Sequence, residues 1–170
     1  LRDDTAGGDT NNDGDTSAPA KNQWGGITAL SGSAVVVENA KVRYATVGVS
    51  LYFADGSRTR VANTTFEHLG YEAIHIFANE LANPDVWSAG NTATDCGTNG
   101  VRIYNGTTHL TANTTWSAHP LWTLTFHGGV TVDAGVTLTI AAGSVVKGET
   151  SSSVLSVAGT LSAVGTAAAP

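Results

Sequence analysis

Apolar and polar positions alternate along this chain in short runs, and the runs recur. Val49 and Leu51 flank a Ser, Ile74 and Ile76 flank a His, and Val101 and Ile103 flank an Arg; Phe53 extends the first run. A period of two places the flanking residues on one face of a strand and the middle residue on the other. A Gly or Ala (Gly48, Ala73, Gly100) opens each run, nine or ten residues after an Asn (Asn39, Asn63, Asn91). The Asn-to-Asn spacings are 24 and 28. A repeat in this range means a solenoid. One short strand plus turns per copy, with no helical period, predicts an all-β, right-handed parallel β-helix whose apolar side chains stack inward from rung to rung. The Asn at the head of each copy fits a turn, because Asn tolerates left-handed backbone and bonds nearby peptide groups. Stacked Asn side chains could then form an amide ladder.

The pattern divides the chain, read as a single domain over 1–170, into four stretches. Residues 1–23 are a polar, Asp-rich loop. Residues 24–104 hold the three Asn-headed rungs, opened by Trp24-Gly25-Gly26-Ile27, with Trp24 read as a rung filler beneath the loop. Residues 105–129 read as an irregular connection, with a turn signal at Asn105-Gly106. Residues 130–170 return to short Val/Thr-rich rungs separated by turns at Asp133-Ala-Gly135 and Ala142-Gly143. The final Ala167-Ala-Ala-Pro170 carries no polar cap, so that end reads as a boundary of a larger array or as an assembly surface.

Composition narrows the function. Hydrophobic residues make up 41% and charged ones 13%, a balance suited to a β-solenoid. A net charge of −6 argues against a nucleic-acid partner. No apolar run is long enough for membrane insertion. Cys96 is the single cysteine, so no intrachain disulfide can form. It reads as a small buried filler.

Three segments carry a family resemblance. Val132-Asp-Ala-Gly-Val-Thr-Leu-Thr-Ile-Ala-Ala-Gly-Ser-Val-Val-Lys147 is similar to the "G-x-L-T-I-x-x-G-T-V-V-K" rung of bacterial right-handed parallel β-helix surface proteins. Gly159-Thr-Leu-Ser-Ala-Val-Gly-Thr-Ala-Ala-Ala-Pro170 resembles the segment that follows it in that family. Leu1 to Asp15, leading to Trp24-Gly-Gly-Ile27, resembles their Asp-rich insertion. The order is permuted here, with the loop first and the Ala-Ala-Pro end last. The chain thus reads as one unit of a tandem array or a subunit that stacks head to tail. The resemblance implies an extracellular or cell-surface protein with an adhesive or structural role.

The strongest site in the sequence is Asp9-Thr-Asn11-Asn-Asp13-Gly14-Asp15. Oxygen-bearing side chains at alternate positions followed by Gly match the first half of a calcium loop. The bidentate Glu of an EF-hand is replaced by Ala20, so Asp3 and Asp4 are the candidates to complete the shell. An enzyme reading competes, because parallel β-helices also host polysaccharide lyases and glycosidases. It uses Glu67 and Asp95, taken as equivalent positions of successive copies about 4.8 Å apart, with Glu72, Asp55 and Arg102 as further candidates. Arg43 at the matching place one rung earlier suggests instead a surface charge ladder. Tyr52, Tyr104, Trp87, Trp116 and Trp122 could stack on surface glycans, although most suit packing. The five histidines show no metal spacing; His75, between two inward Ile, should face away from the core. The favoured reading is a non-catalytic extracellular module, stabilised by calcium and partnered by further copies of itself.

Overall fold

A computed structural model describes residues 3–14, 16–52, 58–77, 90–116 and 123–169. Among the described residues there is no helix. Strands β1 (Ile27–Ala29), β4 (Val49–Leu51), β7 (Glu72–Phe77), β9 (Thr98–Leu110), β11 (Thr123–Val132) and β13 (Val145–Gly148) follow one another across the longest sheet. Every ladder in it is parallel, and β14 (Val154–Val157) also pairs with β11. A second sheet joins β3 (Lys41–Arg43), β6 (Thr65–Glu67) and β8 (Thr92–Thr94). A third joins β10 (Thr114–Trp116), β12 (Thr137–Ile140) and β15 (Thr160–Ala163), and β2 (Val36–Glu38) pairs with β5 (Arg60–Ala62). The chain therefore winds as a parallel β-helix, each strand pairing with its counterpart one turn on.

The predicted alternation sets the register. Val49 pairs with Ile74 and Ile74 with Val101; Leu51 pairs with Ile76 and Ile76 with Ile103. All six are buried, as are Phe66, Leu69, Val61 and Trp116. Ser50, His75 and Arg102 form the opposing column. Burying an aliphatic or aromatic side chain of this size stabilises by about 1.5–3 kcal/mol, so the inward columns supply the main drive to wind the coil.

The corners use left-handed backbone. Tyr44, His68 and Asp95 have φ of 58°, 55° and 52° and stand directly after β3, β6 and β8. Bulky residues pay strain there. Contacts along the column offset it: the Tyr44 and His68 rings stack with centroids 5.2 Å apart, and His68 Nδ1 lies 2.7 Å from Asp95 Oδ2. Asn39 and Asn63 also have positive φ, 52° and 48°. In Trp24-Gly-Gly-Ile27, Gly26 has φ 106°, and a Cβ there would meet the Val47 carbonyl at 1.9 Å.

Two expectations need correction. The third rung is headed by Gly90 (φ 67°), not Asn91, because Thr65 pairs with Thr92 and the two lie 27 residues apart. Asn91 instead sits one place inside the turn, fully buried. Its Oδ1 accepts from the Thr64 N–H at 3.0 Å and its Nδ2 donates to the Val61 carbonyl at 2.7 Å. It cross-links rungs by its backbone partners, so the heads do not form one amide ladder. Nor is 105–129 an irregular connection throughout: 105–110 belong to β9 and 123–129 to β11, which pair with each other. The register shifts between His127 and Gly129, opposite Asn105-Gly106, so the turn signal marks a bulge where the ladder turns a corner. Residues 117–122 lie outside the described set.

Candidate functional site

The Asp-rich loop folds around the Asp9 carboxylate. Asp9 Oδ1 accepts the Asp13 N–H at 3.1 Å and Oδ2 accepts the Gly14 N–H at 2.9 Å. The Gly14 N–H in particular holds the Asp9 carboxyl below the usual carboxylate range, so it is ionised at neutral pH. Gly14 takes φ 63°, which permits the reversal. Asp4, Asp9 and Asp13 converge, with one oxygen from each lying within 4.8 Å of the others. Asp13 Oδ1 is shielded from solvent and has no hydrogen-bond partner among the described residues. Three carboxylate oxygens so close together are the donor type calcium takes, although that ion needs six to eight oxygens and carbonyls or water would have to complete the shell.

The other sequence candidates divide. Asp3 turns away from the cluster to Arg43, whose guanidinium nitrogen lies 2.6 Å from Asp3 Oδ2. Its carboxyl is held below the usual range first by the Thr5 hydroxyl and then, against burial, by Arg43. Asn11 donates its amide to Asp13 Oδ2 at 2.8 Å and to the Ser17 hydroxyl at 3.0 Å, bracing the loop. Asp15 lies outside the described residues.

Glu67 and Asp95 are not a pair. Glu67 is in register with Arg43 on one side and Thr94 on the other; Asp95 falls one residue later, in the corner column of Tyr44 and His68. The longer third turn explains the slip. The charge ladder therefore ends at Glu67, which meets Arg43 Nε at 3.2 Å and Lys41 Nζ at 3.4 Å. Asp95 meets Lys21 Nζ and His68 Nδ1, each at 2.7 Å. The Lys21 bond first, then that of His68, holds its carboxyl below the usual range. Each carboxylate has its own cationic partners.

A second cluster lies on the outer face of the long sheet. Glu72 is 2% exposed and His75 7%; His75 Nδ1 lies 2.5 Å from Glu72 Oε1. Burial pushes the Glu72 carboxyl up, but the His75 bond, its own peptide N–H and the charges of His75 and Arg102 bring it below its ordinary value. Arg102 grips Glu149 with two nitrogens at 2.8 and 2.6 Å and stands 3.8 Å from Glu72. His75 points out of the apolar core, as expected, yet is covered, with the Tyr52 ring stacked on it at 5.7 Å. Sequence reasoning had named Glu72 and Arg102 singly; their meeting needed the register that stacks His75 on Arg102.

Of the aromatics, Trp116 is fully buried and packs in the core. Trp24 departs from expectation: it is 44% exposed. Its indole N–H donates to the Arg43 carbonyl at 2.8 Å, which tethers it at the surface beside the loop. Cys96 is half-buried, and burial raises its thiol pKa, so it has no reactive character. Asp55, Trp87, His119 and Trp122, and the side chain of Tyr104, lie outside what is described.

The family model for a right handed beta helix region matches residues 6–116. The chain belongs to the right-handed β-helix family. No curated protein and no solved structure matches it. The family match ends within β10, and the strands after it continue the same parallel winding. The family hosts both lyases and glycosidases, so membership alone leaves the activity open.

Proposed function

We propose that this chain is a non-catalytic structural module of the extracellular space, in which β-helix units join end to end and calcium braces the Asp-rich loop. The observation that carries it is the chemistry of the two open ends. At one end Val157 of β14 and Leu161 of β15 continue the inward columns of Val132 and Leu138 yet are 44% and 41% exposed. At the other, β1 and β2 are the outermost strands of their ladders. Parallel strands with free ladders and apolar side chains accept further parallel strands. A second copy presents the matching edge, and such head-to-tail contacts propagate into chains because they do not close. The pairing of Glu67 and Asp95 with separate cations supports the non-catalytic side of this reading, since a glycosidase needs one carboxyl held protonated beside its partner.

Sedimentation velocity with calcium tests it. The wild type is expected to form species heavier than the monomer, and Val157→Lys with Leu161→Asp to sediment as a monomer. A wild type that stays monomeric at high concentration would overturn the assembly reading. Calcium is tested separately by melting with the ion and with chelator; equal melting temperatures would remove it from the account.

A further inference from the structure

The geometry points to a carbohydrate-binding cleft between the Asp-rich loop and the outer face of the β3–β6–β8 sheet, taking a neutral pyranose on the Trp24 ring. It goes beyond the end-to-end joining proposed above. The cleft encloses about 310 Å³ and is lined by Asp3, Gln23, Trp24, Lys41, Arg43 and Tyr44, among others. That is the low end for small-molecule sites, with room for about one sugar unit.

Three observations select the ligand. The indole N–H of Trp24 already donates to the Arg43 carbonyl, so the half-exposed ring offers a ligand its apolar π surface. Tyr44 is held beside it by near-parallel stacking on His68, 9° between planes, with the Arg43 guanidinium 5.9 Å from the Tyr44 centroid. The rim carries donors and acceptors in near balance. Lys41 and Arg43 face Asp3 and Glu67, each cation within 3.4 Å of a carboxylate oxygen. A net-cationic rim would select phosphate or an acidic ligand; this one does not. A neutral pyranose has an apolar C–H face for an aromatic floor and hydroxyls that both donate and accept.

The test follows the Trp24 indole N–H resonance of the ¹⁵N-labelled protein during titration to millimolar cellohexaose, mannohexaose and chitohexaose. At least one should shift it. Trp24→Ala should weaken that binding on the order of tenfold, Trp24→Phe should restore most of it, and Tyr52→Ala, on the long sheet, should leave it unchanged. No shift with any of the three sugars would overturn the proposal, as would binding that survives Trp24→Ala. Should Trp24→Ala melt early, Lys41→Ala decides: unaltered binding there also overturns it.

Discussion

The rungs between Val49 and Ile103 and those between Val145 and Leu161 are written in the same alternating code but end in different environments. In the first, the inward residues Val49, Leu51, Ile74, Ile76, Val101 and Ile103 lie between neighbouring turns and are shut from solvent; in the second, the inward Val157 and Leu161 stay 44% and 41% exposed. Composition does not separate them. What separates them is whether another turn of the coil covers the residue. In a solenoid, burial is a property of the neighbouring repeat, so a rung at the edge holds its apolar area in reserve for the next one.

The sharpest way to break this comparison is to delete equal chemistry in both regions. Leu51→Ala, fully buried in the middle rungs, should cost about 2–5 kcal/mol. Leu161→Ala at the edge should cost well under about 1 kcal/mol in dilute monomer. Urea unfolding of both variants measures the difference; equal losses would mean the edge is already covered.

Calcium comes next. At 100-fold excess over its dissociation constant a specific ion should add about 2.7 kcal/mol of stability. The double variant Asp9→Ala, Asp13→Ala should erase that increment, melting in calorimetry at the same temperature with the ion and with chelator.

The Glu72 cluster sharpens the middle of the coil. Its carboxyl lies below the ordinary 4.5 in the folded state, so its contribution is complete above that value and fades as pH falls through the lower folded value. Glu72→Gln should therefore be less stable than the wild type by about 1–3 kcal/mol near neutrality. The gap should narrow in acid, as followed by melting from neutral pH downward. A gap independent of pH would contradict the ion-pair assignment with His75 and Arg102. The smallest effect belongs to the exposed corner pair: Lys21→Ala should cost about 0.2–1 kcal/mol and less in high salt.

Much of the coil could be read from residues alone. The runs Val49/Leu51, Ile74/Ile76 and Val101/Ile103 announced both inward direction and register, because a period of two has only one apolar face. Arg43 over Glu67 followed from the same 24-residue turn. The third rung misled, since its longer turn let Gly90 take the left-handed corner and pushed Asn91 inside and Asp95 into the Tyr44–His68 column. Corner geometry tolerates Asn, Gly or a stacked ring, so identity at one head does not fix phase. In the loop, alternating Asp residues gave the expectation of converging oxygens. They did not reveal that Asp3 would leave for Arg43, a partner 40 residues away. Trp24 read as core for a like reason: its exposure depends on a cleft that only the folded loop defines.

Negative-stain electron microscopy of the purified protein in calcium, beside the Val157→Lys, Leu161→Asp variant, tests the central claim most directly. The account predicts rods several units long for the wild type and single short particles for the variant. Single particles in both samples would contradict end-to-end joining through the apolar edge.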